Sequence, residues 1–395
     1  MTRHSLLFVV LVGCTPAVWP PRATLPPKSI PLTRIAFGSC AKELPISATL
    51  EEEEEHQAIW DALLAAAPEL FLWTGDAVYV DEVPSSLDSV ERRLECQRML
   101  LQRRLKLGNY QRFIAQVPVN GVWDDHDYGR NNAGASLQGK ERSQENYLNF
   151  LAEPETSPRR RQAGIYQAFT HGPPDKRIKI YLLDTRYHMQ RKGKKADLLG
   201  TEQWAWLERE ISESDAQLNV FVSSIQILVR QDLRGQQWFG WPAARRRALK
   251  LLNDTPLSGV LFVTGDKHFG TIESSQDDRL PHKALDTMSS SQDRQVPHEI
   301  FEVMSSGLTT GSIVSGNDLA LVRLWYGPAN VVTEPNFGMI VVDWDAHPVQ
   351  VTLQIRDGQN RVRLERRLIL RGRELELSGQ PSQSVSPGGG PDGTW

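Results

Sequence analysis

The chain has 395 residues, 40% of them hydrophobic, and is long enough to bury a substantial core in one large domain or two smaller ones. Its 45 basic and 48 acidic residues leave a formal net charge of −3, so there is no electrostatic case for nucleic acid as the main partner. Composition therefore favours a globular protein whose function has to come from local motifs.

The first fourteen residues have the features of an export signal. The apolar stretch Ser5–Gly13 is too short for a membrane-spanning helix, which needs roughly 20 residues, but it suits the core of a secretory signal. Leu11–Cys14 resembles the bacterial lipobox, in which the cysteine is lipidated and becomes the mature N-terminus. We expect a signal peptide with a lipobox over residues 1–14 and a proline-rich, extended tether over residues 15–32. An ordinary signal peptide that contains a cysteine is the alternative.

Strand-like segments alternate with helical patterns over the first two thirds of the remaining chain. Apolar residues at three- and four-residue steps predict the helices, and the acidic run Glu51–Glu55 is interpreted as a charged, solvated first turn. This alternation favours an α/β layered fold. The predicted strands cover residues 34–37, 70–73, 117–123, 178–183, 219–222 and 259–263, and the predicted helices cover 59–67, 94–103, 201–211 and 242–252.

The last part of the chain has a different pattern. Residues 337–344 and 349–356 have the pattern of paired strands, and residues 361–370 continue in the same style. The remainder, rich in proline, glycine and serine, is predicted to be disordered. The predicted organisation is one domain over residues 33–372 and a disordered tail over residues 373–395.

Residues able to bind metal follow several of the predicted strands. Carboxylates, an imidazole, a thiolate and a phenolate form a complete metal-ligand set, and chemistry at the carboxyl ends of strands is expected in α/β folds. The run WDDHD at 123–127 needs either solvation on a surface turn or a cation, because neighbouring carboxylates repel each other. A two-metal site, with ions roughly 3.5–4 Å apart, would suit hydrolysis of phosphate esters. The candidate residues are Cys40, Asp76, Tyr79, Asp125, His126, Asp266 and His268.

These motifs resemble the alkaline phosphatase D (PhoD-like) branch of the calcineurin-like metallophosphoesterases. The resemblance spans roughly residues 33–345 and implies a layered metallophosphoesterase-type β-sandwich flanked by helices. The segments that carry it are FGSC (37–40), LFLWTGDAVY (70–79), WDDHDYGRNNAG (123–134), LDTRYH (183–188), LLGTEQWAWL (198–207), SSIQ (223–226), TGDKHFG (264–270) and NFG (336–338).

The resemblance also implies roles for individual residues. His126 matches a histidine that assists the leaving oxygen. Arg186 matches a candidate phosphate clamp, although it could equally pair with Asp184 as a structural bridge. Iron(III) and calcium are the implied ions, and manganese, magnesium or zinc stay open. The implied metal ligands are Cys40 and Tyr79 on iron(III), Asp76 as the bridge between the ions, and Asp125, Asp266 and His268.

We therefore expect a secreted, lipid-anchored phosphoric ester hydrolase in which a metal-bound hydroxide attacks phosphorus. Lipidated Cys14 would place it on the bilayer of a bacterial cell envelope, at the periplasmic or extracellular face. The alternatives are a phosphodiesterase or phospholipase D-type activity at the same site, and a non-catalytic surface lipoprotein of the same fold. The sequence leaves open the physiological substrate, the oligomeric state and a disulfide between Cys40 and Cys96.

Overall fold

Two mixed β-sheets pack face to face and carry helices on their outer surfaces. The protein is described by a computed structural model over residues 21–84, 86–229, 236–276, 299–311 and 316–378. The predicted signal peptide, its lipobox cysteine and the tail beyond residue 378 lie outside the described residues. None of the described helices is long and apolar enough to cross a bilayer.

The strands account for both halves of the sandwich. Their bounds are β1 Arg34–Gly38, β2 Leu70–Thr74, β3 Val119–Val122, β4 Gln167–His171, β5 Ile178–Leu182, β6 Leu218–Val222, β7 Val260–Thr264, β8 Gly270–Ser274, β9 Phe301–Ser305, β10 Asn336–Asp343, β11 Val349–Asp357, β12 Val362–Arg371 and β13 Glu374–Leu377. The helices are α1 Leu50–His56, α2 Ile59–Ala65, α3 Val90–Arg104, α4 Gly108–Ile114, α5 Asp125–Tyr128, α6 Lys140–Phe150, α7 Thr201–Ser212, α8 Pro242–Asp254 and α9 Gly316–Tyr326.

The strand order brings several strand ends to one edge of the sandwich. The first sheet runs β13-β12-β11-β10-β1-β2-β3, with β1, β2 and β3 mutually parallel. The second runs β4-β5-β6-β7-β9-β8, with β5, β6, β7 and β9 parallel. The two sheets meet where Thr74 Oγ1 donates to the Thr264 carbonyl at 3.5 Å, at the ends of β2 and β7. The loops after β1, β2, β3 and β7 therefore converge.

Helices cover the outer faces because those faces are aromatic and apolar. On the first sheet, the Trp60 ring of α2 lies 5.5 Å from Phe71, 5.3 Å from Trp73 and 4.7 Å from Tyr110 between ring centroids. Aromatic pairs at such separations add stability beyond the apolar area that they bury. On the second sheet, α7 and α8 pack over Phe221 and Phe262. The predicted layered α/β fold is confirmed.

The fold is longer at both ends than the sequence pattern indicated. Residues 21–32, the described part of the predicted tether, pack against the domain. The Ala23 amide donates to the Ile114 carbonyl at 2.9 Å, and Leu32 is fully buried. At the other end, β13 pairs with β12 and buries Leu375, so the predicted tail boundary at residue 373 falls before a strand of the sheet. Both differences depend on contacts with distant segments, which local composition does not reveal.

The acidic run after Thr49 is also different from its interpretation as a solvated first turn. It forms a separate helix, α1, whose start is fixed by a capping box between Thr49 and Glu52. Glu53 is fully buried, and its carboxylate accepts hydrogen bonds from the Leu44 amide at 3.0 Å and from Gln57 Nε2 at 2.8 Å. That part of the interpretation is wrong, because one face of the acidic turn packs against the body.

Glu302 in β9 is a buried carboxylate that fastens the loop after β6. It accepts hydrogen bonds from the amides of Ile227 and Leu228 at 3.0 and 2.8 Å, and from Thr264 Oγ1 at 3.0 Å. Burial raises the pKa of Glu302 from the ordinary 4.5 to about 7, against the opposing effect of these bonds. The folded chain thus holds this proton more tightly than the unfolded chain, so the stability that it contributes is lost as the pH rises through 7.

The Glu302→Gln variant cannot titrate at this position and should lack that loss. The free energy of unfolding of the variant should lie below that of the wild type by some amount at pH 5. We expect this difference to be smaller at pH 8, by about 2 kcal/mol. Urea unfolding at the two pH values measures this, with exposed Glu208→Gln as the control. An equal deficit at both pH values would contradict the assignment.

Candidate metal centre

Four of the six candidate ligands lie on left-handed backbone shortly after the ends of strands. Cys40 follows β1 with φ 59°, Asp76 follows β2 with φ 51°, and Asp266 and His268 follow β7 with φ 76° and 63°. Positive φ costs a non-glycine residue on the order of 1–3 kcal/mol and persists only where surrounding contacts impose it. The fold therefore holds these four side chains in conformations that an unconstrained loop would not adopt.

Gly75 explains why a glycine precedes Asp76. Its φ is +105°, and a Cβ atom at this position would lie 2.4 Å from the Cβ of Asp124. No side chain is compatible with that separation. The glycine therefore lets the loop after β2 approach the loop after β3, which brings Asp76 and Asp124 into one site.

The loops after β1, β2 and β7 bring four predicted ligands into contact. Cys40 Sγ lies 3.3 Å from Asp76 Oδ2 and 3.1 Å from Ser306 Oγ. Tyr79 OH lies 3.1 Å from His268 Nε2. Thiol, carboxylate, phenol and imidazole groups therefore share one buried centre.

The three aspartates of the run WDDHD have different surroundings. The carboxylates of Asp124, Asp125 and Asp266 offer oxygen atoms that all lie within 4.8 Å of one another, and Asp76, Asp125 and His126 form a second such group. Asp127 instead accepts hydrogen bonds from the amides of Asp124 and Val78 at 3.0 and 2.9 Å. Two aspartates thus face the site and the third fixes the backbone beneath it.

His126 is held on two sides. Its Nδ1 lies 2.6 Å from Asp81 Oδ1, and its ring stacks on Tyr79 with 4.2 Å between ring centroids. Asp81 is itself fixed, since its Oδ2 accepts a hydrogen bond from the Asn131 amide at 2.7 Å. Burial opposes the charged imidazole, but Asp81, Asp76 and Asp125 outweigh it and raise the pKa of His126 to about 10.

Arg186 is fully buried and binds a different carboxylate from the one suggested by its neighbours in sequence. Its Nε donates to Asp124 Oδ1 at 2.5 Å, and Nη1 donates to Gln236 Oε1. The carboxylate of Asp184 accepts hydrogen bonds from backbone amides, including that of Arg186 at 2.8 Å. The alternative of an Arg186–Asp184 side-chain bridge is therefore wrong.

Burial makes three acidic groups of the site resist ionisation, whereas at Asp125 burial is outweighed by Arg186 and His126, which lower the pKa of this carboxyl. Burial raises the pKa of the Cys40 thiol to about 11, that of Asp124 to about 8, and that of Asp76 well above its ordinary range. Burial also lowers the pKa of His268 to about 4, so its imidazole is neutral and able to ligate. A cation would reverse the balance for the acids.

Three buried carboxylate oxygens of this centre are without hydrogen-bond partners in the described part of the chain: Asp76 Oδ1, Asp124 Oδ2 and Asp266 Oδ2. The last of the three lies close to a cation of the protein, with Lys267 Nζ at 2.6 Å. Unpartnered buried carboxylate oxygens are costly, and a metal ion is one of the groups that satisfies them. Together with the thiol, phenol and imidazole groups around them, these atoms fit a site for one or more cations.

The structure adds residues that the sequence did not single out. Asp124 belongs to the WDDHD run, but nothing in the sequence showed that its side chain faces the site. Asp81 and Ser306 lie in segments without a recognisable signal, and their roles depend on contacts with His126 and Cys40. Cys40 and Cys96 are buried free thiols, so the disulfide left open by the sequence does not form.

Comparison with known proteins places this geometry in a family. The sequence pattern of PhoD-like phosphatases matches residues 35–353, most of the chain. The chain belongs to the PhoD-like phosphatase family. The predicted resemblance is thus confirmed. The family consists of phosphatases, which act on phosphate esters.

Individual relatives of this PhoD-like chain agree. Alkaline phosphatase D of Bacillus subtilis (strain 168) is 23% identical over 290 residues, which cover 62% of this chain and 47% of the relative. The chain thus spans about half the length of that curated relative. A solved structure of PhoD has 17% identity and a TM-score of 0.62, and the match covers 92% of this chain and 74% of the other.

A more distant structure shares the fold. Purple acid phosphatase PPD1 from yellow lupin seeds superposes with a TM-score of 0.51 at 10% identity, over 85% of this chain and 53% of the other. At such identities the likeness establishes the fold alone. The metallophosphoesterase-type sandwich predicted from the sequence is therefore confirmed.

Proposed function

We propose that this chain is an exported, lipid-anchored, metal-dependent phosphoric ester hydrolase. Membership of the PhoD-like phosphatase family supports the hydrolase class. The observation that carries the proposal is the convergence of Asp76, Asp124, Asp125 and Asp266 in one centre, where three carboxylate oxygens have no hydrogen-bond partner among the described residues. A bound metal ion would satisfy these oxygens and stabilise the ionised form of the cluster.

The proposed ligands divide into two groups. Cys40 and Tyr79 suit iron(III), and Asp76 lies beside the thiol, in a position to bridge. Asp125 and Asp266, with Asp124 as an additional candidate, suit calcium, magnesium or manganese, and His268 completes the set. When bound, such ions supply an activated water and neutralise charge on a phosphoryl group.

We assign proton transfer to His126. Asp81 accepts the hydrogen bond from Nδ1, which leaves Nε2 as the nitrogen available to the leaving oxygen. The contact with Asp81 also keeps the imidazole protonated, as an acid requires. Stacking on Tyr79 fixes the ring plane, so the proton is presented in a defined direction.

We assign Arg186 a part in stabilising charge. Its guanidinium is held by Asp124, while Nη2 also lies 3.8 Å from Asp125 Oδ1. A phosphate group beside Asp125 would therefore lie in the field of this cation, although the arginine is already engaged by protein groups. This role is narrower than a clamp that reaches out to bind phosphate.

Activity, metal content and ester preference can be measured on one preparation. The chain from residue 15, which keeps the packed segment 21–32, is assayed with p-nitrophenyl phosphate and bis-p-nitrophenyl phosphate, with and without EDTA, and its bound metals are quantified. Chelator-sensitive turnover with near-stoichiometric metal supports the proposal, and the better substrate separates a monoesterase from a phosphodiesterase. Failure of turnover after reconstitution with iron, calcium or manganese would favour the non-catalytic alternative.

Lipid anchoring makes a separate prediction at Cys14. The full chain, expressed in a bacterium that processes lipoproteins, should partition into the detergent phase of Triton X-114, because the acyl chains bury many CH₂ groups. We expect about 90% or more of the Cys14→Ser variant to be found in the aqueous phase. An unchanged distribution would refute the lipobox prediction without affecting the catalytic proposal.

A further inference from the structure

Arg104 ends α3 and is buried beneath two of the loops that carry the proposed ligands. Its Nε donates to the Ala77 carbonyl at 2.7 Å, and its Nη2 donates to the Ala41 carbonyl at 2.5 Å. Ala41 follows Cys40 in sequence, and Ala77 follows Asp76. One planar guanidinium therefore joins the loop after β1 to the loop after β2.

The two loops need such a connection because both carry strained residues. Cys40 and Asp76 have φ values of 59° and 51°, conformations that persist only where surrounding contacts impose them. The Ala41 amide donates to the Asp76 carbonyl at 2.9 Å, which is a direct bond between the loops. Arg104 adds two charge-assisted bonds to the peptide groups next to the ligands.

A third proposed ligand is connected to the same guanidinium. Arg104 Nη2 lies 3.3 Å from Glu43 Oε1, and Glu43 Oε2 accepts a hydrogen bond from the Tyr79 amide at 3.2 Å. On the opposite side, Arg104 Nη1 donates to Gln57 Oε1, which also accepts from Trp60 Nε1 at 3.1 Å. The helices of the outer layer thus fix the arginine, and the arginine fixes the loops.

We propose that Arg104 is a positioning residue that sets the mutual placement of Cys40, Asp76 and Tyr79 for metal binding. The inference rests on the proposed function, which makes these three side chains ligands of one ion. Arginine is required because its rigid fork reaches two carbonyls and a carboxylate at once, whereas a lysine ammonium on a flexible stem cannot hold all three in the same geometry.

Cobalt(II) is the probe for the test, because a thiolate ligand gives it an absorption band that reports on Cys40 directly. Metal-free chain is titrated with cobalt(II), and the dissociation constant is compared between the wild type and Arg104→Lys. We expect the variant to bind about 10- to 100-fold more weakly, the range for groups that orient metal ligands. An affinity within about threefold of the wild type would overturn the proposal.

Arg159 provides a matched control. It is equally buried and donates to the carbonyls of Ile165 and Gly121 at 2.7 and 2.9 Å, but neither residue adjoins a proposed ligand. Arg159→Lys should lower thermal stability to a similar degree and change the cobalt(II) affinity less than about threefold. Equal weakening of cobalt(II) binding by both variants would reduce Arg104 to a general packing role and overturn the proposal.

Glu43→Gln covers the case in which Arg104→Lys does not fold. The amide keeps the size of the side chain but cannot accept from both Arg104 and the Tyr79 amide, so we expect binding about 10-fold weaker. Unchanged binding in this variant would overturn the proposal. A wild-type chain that binds no cobalt(II) and shows no thiolate band would instead refute the metal site on which the proposal rests.

Discussion

Asp76→Asn is expected to lower turnover at least about 1,000-fold and to reduce the content of bound metal. The substitution removes a charge from the residue proposed to bridge the ions, and metal-based charge stabilisation contributes several kcal/mol, with 1.36 kcal/mol for each factor of ten. Asparagine adopts left-handed backbone readily, so the φ of 51° at this position is retained. Metal analysis and steady-state kinetics on the same sample measure both effects.

Stability of the metal-free chain distinguishes a ligand from a structural carboxylate. Burial, Cys40 and Asp124 raise the pKa of Asp76, so its ionisation destabilises the metal-free fold as the pH rises. Metal-free Asp76→Asn should therefore melt at a higher temperature than the metal-free wild type at pH 8, while losing activity. Exposed Asp61→Asn is the control for both readouts. A destabilised variant with normal metal content would contradict the assignment.

His126→Asn should lower kcat by about 100- to 10,000-fold without removing the metal, the usual range for loss of a positioned acid. The loss should depend on the leaving group, because a p-nitrophenolate departs without a proton more easily than an alkoxide. We therefore expect a smaller defect with p-nitrophenyl phosphate than with an alkyl phosphate such as glycerol phosphate. Kinetics with the two esters provide the measurement, with exposed His347→Asn as the control.

Metal content decides between two roles for this histidine, because His126 also lies within ligand distance of Asp76 and Asp125. Loss of one equivalent of metal in His126→Asn, with the same defect for both esters, would make it a ligand instead of an acid. Asp81→Asn gives an intermediate test. It keeps the shape of the partner but removes its charge, so we expect a loss of about 10-fold in kcat.

The sequence was sufficient for the layered α/β architecture and for the predicted ligands that meet at the site, but not for Asp124, Asp81 and Ser306. Strand-length apolar runs that end in polar residues predicted β1, β2, β6 and β7 to within about a residue, because buried parallel strands carry a continuous apolar pattern. The carboxyl ends of such strands share an edge, which explains why Cys40, Asp76, Asp125 and Asp266 come together.

The different roles of the three aspartates in the WDDHD run could not be predicted from the sequence. The aspartates of the WDDHD run differ in direction because the chain enters a one-turn helix there, which rotates successive side chains by about 100°. Only tertiary contacts show that Asp124 and Asp125 face the site while Asp127 binds amides. The burial of Glu53 likewise depends on Leu44 and Gln57, which no local pattern connects to it.

In the lipid-anchored form that we propose, the packed segment before β1 limits how far the body can move from the membrane. Arg22 Nη2 donates to the Phe150 carbonyl at 2.6 Å, so the chain is already attached to the body at residue 22. A lipid on Cys14 would then be separated from Arg22 by seven residues, and the eight Cα–Cα steps between the two positions span at most about 28 Å when fully extended. A folded chain of this size has a radius of gyration of about 20 Å. The folded body would therefore stay within little more than its own radius of the bilayer. It would encounter esters at the membrane surface before those in bulk solution.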